Sequence, residues 1–199
     1  MKMENRKCTL ERSTKETSIK LSIDIDGRGE GSINTGIGFF DHMLQQIAKH
    51  GFLDLSVEAN GDLEVDYHHT VEDVGILLGQ AINKALGDKS GITRYGTIFT
   101  PMDEALSMVC LDISGRPYIH YDVEYIGERT GNFEVQLVEE FFRGLAFNAG
   151  ITLHIRNLYG RNDHHIIESI FKAFGRALDM AVKMDSRIQG PMSTKGKLD

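Results

Sequence analysis

The chain has 199 residues, 41% of them apolar and 26% charged, with a formal charge of −7. That composition suits a folded globular protein with a full core, and the negative balance argues against general nucleic-acid binding. The two cysteines, Cys8 and Cys110, have no CxxC spacing, which points to free thiols in a reducing compartment and so to the cytoplasm.

The segment from Met1 to Thr17 is charged and lacks the apolar stretch of a signal peptide. No apolar run approaches the ~20 residues of a membrane span. Ser18 to Ile25 alternates Ile19, Leu21, Ile23 and Ile25, the period of a strand. Asp26-Gly27-Arg28-Gly29 is a turn. A short strand follows from Glu30 to Asn34, and a helical pattern runs from Phe39 to Lys49. Phe52 to Ala59 reads as a strand, Asn60-Gly61-Asp62 as a turn and Leu63 to Asp66 as a further strand. A helix then extends to about Leu86, and Gly87 to Gly91 is a break.

The second half repeats this order. Leu21 to Arg28 matches Val109 to Arg116, with Asp24, Gly27 and Arg28 opposite Asp112, Gly115 and Arg116. Glu16 falls opposite Glu104, the helix around His42 opposite the helix around Glu140, and Gly79 opposite Gly175. A period of about 96 residues is a duplicated unit, not a solenoid. The expected fold is α+β: two tandem α/β sandwich halves, 1–90 and 91–199, each a four-stranded sheet with two helices on one face. The two helical layers are expected to pack together as the core.

Each half carries a closely similar motif. Tyr67-His68-His69-Thr70-Val71-Glu72 in the first corresponds to Asp163-His164-His165-Ile166-Ile167-Glu168 in the second. Apolar residues of helical period follow each copy, so each motif lies on the first turn of a helix, with Asp66 and Asp163 (or Asn162) as N-caps. Adjacent positions on a helix diverge by roughly 100°. The histidines of a pair therefore address two different ions, while His and Glu three or four residues apart share a face. A lone His-His pair is more often a cap or surface feature. Two copies in register, each with its Glu, favour a site for a divalent transition metal. The repeat adds His42 and Glu140, giving eight candidate ligands: His42, His68, His69, Glu72, Glu140, His164, His165 and Glu168. Four ligands for each of two ions leave open positions for catalysis. Helix starts in different halves raise the prospect of a site shared between subunits.

Arg94, Arg116, Lys172 and Lys195 lie beside motifs or turns and are candidates for holding a phosphate. Taken singly, each is more often a surface charge. The tail Ser193-Thr194-Lys195-Gly196 offers further donors, although composition alone favours a frayed terminus. His154, in an apparent strand, is read as a group behind the ligands or a satisfied core histidine.

Several stretches together resemble the imidazoleglycerol-phosphate dehydratase family. They are Phe39-Phe40-Asp41-His42-Met43-Leu44, His68 to Asp73, Asp112-Ile113-Ser114-Gly115-Arg116-Pro117, His164 to Glu168 with Phe171-Lys172-Ala173-Phe174, and Ser193-Thr194-Lys195-Gly196. The resemblance implies dehydration of D-erythro-imidazole-glycerol phosphate to imidazole-acetol phosphate in histidine biosynthesis. It implies two manganese ions per subunit, halves like ribosomal protein S5 domain 2, and trimers assembled into a 24-subunit shell. It carries the eight ligands over, assigns Arg94, Arg116, Lys172, Ser193, Thr194 and Lys195 to substrate, and gives Glu16 acid/base work. Glu72 and Glu168 are further candidates for moving protons. In this chain Glu140 stands where many members have His, and Tyr67 where Asp is usual. Metal coordination of the substrate imidazole would favour imidazolate, whose electrons expel the side-chain hydroxyl. The weighed alternatives are a metal-dependent phosphate hydrolase and a non-catalytic metal-binding shell.

Overall fold

A computed structural model describes residues 6–198. The first half comprises β1 (Lys7–Ser13), β2 (Thr17–Asp24), β3 (Gly31–Asn34), α1 (Gly38–Gly51), β4 (Asp54–Gly61) and α2 (His68–Leu86). The second comprises β5 (Tyr95–Met102), β6 (Ala105–Asp112), β7 (Tyr118–Asp122), a small hairpin of β8 (Arg129–Thr130) and β9 (Phe133–Glu134), α3 (Leu137–Ala149), β10 (Thr152–Tyr159) and α4 (Asp163–Val182). The sheets have the same order, β1-β2-β4-β3 and β5-β6-β10-β7. In each, the strand before the first helix pairs in parallel with the strand after it, and the other pairings are antiparallel.

The alternation in β2 has its cause in one-sided burial. Ile19, Leu21 and Ile23 face the helices with at most 2% exposure, and in β6 Val109 and Leu111 do so with at most 4%. Helices α1 and α2 cover the first sheet, α3 and α4 the second, and the layers meet as the pairs α2–α3 and α1–α4. Phe141 joins the layers, with ring centroids 5.3 Å from both Phe40 and Phe171. Truncating such a buried ring costs about 3–5 kcal/mol.

Glycine sets how closely the paired helices approach. A Cβ on Gly75 would lie 2.4 Å from the Phe141 carbonyl oxygen, and one on Gly175 would lie 2.9 Å from that of Ile47. In both seams the paired helices run in the same direction, which brings their N-terminal ends together.

Two expectations are corrected. Leu63 to Asp66 is not a strand: the Val65 N–H returns to the Asp62 carbonyl at 2.8 Å, making a turn. Two alternating residues between aspartates are too few to hold a ladder. The fourth strand is instead β1, within the charged segment that precedes the alternating run from Ser18. Its residues alternate between exposed and half-buried, so it carries a weak apolar signal and is held by pairing to β2. The turn expected at Asn60-Gly61 belongs to β4, which continues to Gly61 opposite Thr17.

Candidate metal centre and phosphate cleft

Side-chain caps set both motif helices. Asp66 accepts the His68 N–H at 2.8 Å, so the preceding Tyr67 need not cap. Asn162 accepts the His164 N–H at 3.0 Å. Asp163, the alternative cap, instead holds the N–H groups of Ile126 and Gly127 at 2.9 and 2.8 Å. The paired rings diverge as the helical angle requires. His68 and His69 have centroids 6.2 Å apart at 78°, and His164 and His165 have theirs 6.1 Å apart at 79°.

The α1–α4 seam gathers His42, His164 and Glu168, one donor atom from each lying within 4.8 Å of the others. His164 Nε2 is 3.2 Å and His42 Nε2 3.7 Å from Glu168 Oε2. The donors come from both halves. Lys172, one turn on, donates to Glu168 Oε1 at 2.7 Å. Burial opposes ionisation of Glu168, but the Lys172 bond and the charges of Lys172, His42 and His164 outweigh it and hold the carboxyl below its ordinary value.

The equivalent seam is not gathered in this way. His68 Nε2 lies 3.8 Å from Glu72 Oε2, while Glu140 is turned toward Arg143 Nε at 3.7 Å. An exposed pair of this kind is worth at most about 0.5 kcal/mol, so it opposes little a reorientation toward a divalent cation.

His69 and His165 point away from these groups, each to carboxylates of its own half. His69 Nδ1 bonds Asp62 Oδ2 at 3.0 Å, and His165 Nδ1 bonds Glu104 Oε2 at 2.7 Å. The Asp62 bond raises the His69 pKa. The His165 bond, chief among the lowering causes, holds Glu104 at about 2. Glu16 Oε1 is 3.9 Å from His69 Nε2, and Asp103 Oδ2 is 3.8 Å from His165 Nε2. Sequence reading missed Asp62 and Asp103 here, and it noticed Glu104 only as a repeat partner.

The predicted basic residues separate into two places. Arg94, Arg116, Ser193, Thr194 and Lys195 line one cleft of about 590 Å³ with Tyr95 and Met192. Arg94 donates through Nε and Nη2 to Asp112 at 2.6 and 2.9 Å and through Nη1 to the Met192 carbonyl at 2.8 Å. Its φ of 73° costs about 1–2 kcal/mol, offset by these bonds and by its N–H bond to the Ala181 carbonyl. The tail is therefore fastened and not frayed: Gly91 N–H also bonds the Gly190 carbonyl at 3.0 Å. Lys172 is elsewhere, beside Glu168.

Arg94 packs at Ala181, near the far end of α4. From Glu168 to Ala181 the helix rises about 20 Å. The cleft and the His42–His164–Glu168 group therefore stand at opposite ends of one helix. His154 lies on the outer sheet face beside His120, with ring centroids 5.5 Å apart, not behind the ligands. Among the described residues no helix is long and apolar enough to cross a membrane.

The fold and these groups define a duplicated α+β sandwich whose paired helix starts present imidazoles and carboxylates. The family model for imidazoleglycerol-phosphate dehydratase matches residues 35–178. The imidazoleglycerol-phosphate dehydratase of Alkaliphilus metalliredigens is 68% identical over 188 residues, covering 94% of this chain and 96% of its own. That of Acetivibrio thermocellus is 64% identical over 194 residues, covering 98% and 100%. The crystal structure of the Staphylococcus aureus enzyme superposes with a TM-score of 0.82 at 43% identity, over 90% of this chain and 99% of that one. The Pyrococcus furiosus enzyme in complex with (S)-C348 gives 0.82 at 40%, over 95% and 100%. The chain belongs to the imidazoleglycerol-phosphate dehydratase family and is a hydro-lyase of histidine biosynthesis.

Proposed function

We propose that the chain removes water from D-erythro-imidazole-glycerol phosphate, giving imidazole-acetol phosphate, at a site holding two divalent ions, manganese by preference. The observation that carries the reading is the convergence of His42, His164 and Glu168 from two halves onto one point. Neutral imidazole and ionised carboxylate are the donor set of a borderline divalent cation, and the lowered pKa of Glu168 keeps it in the ligating form. His68, Glu72 and, after release from Arg143, Glu140 would hold the second ion. His69 and His165 would complete ligand sets contributed by neighbouring copies.

Bound ions would act as Lewis acids toward the substrate imidazole, favouring loss of its N–H proton. The chain's own residues do the rest. Arg94, Arg116, Ser193, Thr194 and Lys195 bind the phosphate, with the Arg94–Asp112 pair holding one wall of the cleft. The carbon proton to be removed has no neighbouring carbonyl, so the ring first gives up electrons to expel the adjacent hydroxyl, which leaves with a proton as water. Loss of the carbon proton then returns the electrons and gives the enol. Glu16, half-exposed and facing His69, is placed to carry a proton in this sequence.

The separation along α4 supports a site assembled between subunits. The three-carbon chain of the substrate is far shorter than the distance from the cleft to the Glu168 group. One copy therefore supplies phosphate contacts while another supplies metal ligands, within a homo-oligomer such as the 24-subunit shell of trimers. The test is manganese content and molar mass before and after chelation, coupled to product analysis. The reading expects two ions per chain, a ketone product, and loss of mass and activity on chelation. Inorganic phosphate as the product, or unchanged activity without metal, would overturn it.

A further inference from the structure

The repeat aligns Glu16 with Glu104, yet the structure gives them different tasks. Around each second histidine of the motif there are two carboxylate positions. One bonds Nδ1: Asp62 at 3.0 Å in the first half, Glu104 at 2.7 Å in the second. The other faces Nε2 without a close bond: Glu16 at 3.9 Å and Asp103 at 3.8 Å. The Nδ1 position is filled from different elements, the turn after β4 in one half and the β5–β6 hairpin in the other.

Both Nδ1 partners are themselves anchored. The Asp62 N–H donates to the Glu16 carbonyl at 3.1 Å, and its own carbonyl takes the Val65 N–H at 2.8 Å. Glu104 Oε1 accepts the Arg161 N–H at 3.1 Å. A neutral imidazole carries one N–H, so an Nδ1–H committed to a carboxylate leaves the Nε2 lone pair outward and the ring fixed. A carboxylate in that place also makes the imidazole a stronger donor to a cation.

We propose that Asp62 and Glu104 are positioning residues, each fixing the ring and tautomer of its histidine, His69 or His165, so that Nε2 is presented to a metal ion. Asp62 thereby leaves Glu16 unbonded and available for proton transfer, whereas its repeat partner Glu104 is committed to His165. This inference rests on the metal-binding reading above.

The test is manganese affinity, measured by chelator competition on the intact oligomer stripped and reloaded, for wild type, Asp62→Ala, Glu104→Ala, Asp62→Asn and Glu104→Gln. Each Ala variant is expected to lose about 10–100-fold in affinity. The Asn and Gln variants, which keep an acceptor oxygen, should recover part of that loss. Glu16→Gln, which removes no Nδ1 partner, is expected to bind manganese as wild type does. Ala variants with wild-type affinity would overturn the assignment while leaving the metal reading in place. A wild-type protein that takes up no manganese would overturn the metal reading itself, and the inference with it. Should an Ala variant fail to fold, Glu104→Asp decides. Shortening the side chain by one methylene lengthens the bond and should weaken binding measurably, and unchanged affinity would overturn the assignment.

Discussion

Glu16 is a half-exposed carboxylate that looks ordinary in the sequence, and its value comes from where β2 begins. It faces His69 without bonding it closely, so it can exchange a proton without first breaking a strong contact. Replacing it with Gln keeps the shape and removes the carboxylate. The expected result is retained manganese with kcat reduced about 10²–10⁴-fold, the range of general acid–base contributions; full activity in a metal-loaded variant would remove Glu16 from the role. A different carboxylate, Asp54, bears on acid sensitivity away from the site. Asp54 accepts the N–H groups of Arg28 and Glu30 at 2.7 and 3.1 Å, and these bonds, that of Arg28 first, lower its pKa below the ordinary 3.8. A depressed folded-state pKa contributes stability that is full above the unfolded value and is lost as pH falls through the folded one. Asp54→Asn should therefore shallow the acid limb of a stability–pH curve below about pH 4, read by circular dichroism. An unchanged limb would show that the turn bonds add nothing.

At the scale of elements, the two helix seams decide whether the motif histidines of one half meet the other half. The parallel approach of α2 to α3 depends on Gly75, where an added Cβ would stand 2.4 Å from a backbone oxygen that cannot rotate away. Gly75→Ala is expected to destabilise by about 1–3 kcal/mol, the cost of overpacking, and to lower the thermal midpoint by several degrees. Because Glu72 and Glu140 lie on this seam, manganese uptake should also fall. A variant that melts with wild type would mean that the helices can separate at no cost. The second seam is tied differently: Gly175 admits the Ile47 carbonyl, and the same stretch of α4 carries Lys172, the partner of Glu168.

For the whole molecule, the distance between cleft and His/Glu group makes a prediction about mixtures. Arg116→Ala alters the cleft proposed to hold the phosphate, and Glu168→Gln alters the group at the other end of α4. In a site built within one chain, neither defect can be covered by a neighbour. In a site built between copies, some interfaces of a mixed oligomer carry two undamaged faces. Dissociating and reassembling the two inactive variants together should restore a measurable fraction of wild-type activity, while each variant reassembled alone should not. Failure to restore activity in mixed particles of normal mass would place the whole site in one subunit.

Much of this protein was legible in the residues themselves. Period-2 alternation found β2 and period-3.6 patterns found α1, α2 and α4, because one-sided burial leaves a strong apolar signal wherever an element has a core face, and the repeat supplied α3. The duplication was visible because both halves keep the same residues at equivalent turns and helix starts, and divergence of the paired histidines followed from helical geometry alone. The edge strand β1 was not legible, since half-buried alternation in a charged segment resembles a loop until β2 supplies its partner. Nor does the repeat by itself separate Glu16 from Glu104 or single out Asp62, because which side of an imidazole ring a carboxylate reaches is a tertiary relation. Tertiary structure alone decided that His42 joins His164 and Glu168, that Arg94 fastens the C-terminal tail, and that cleft and cluster stand a helix length apart. Those relations join residues far apart in the chain, and only the packing of the two helical layers sets their distances.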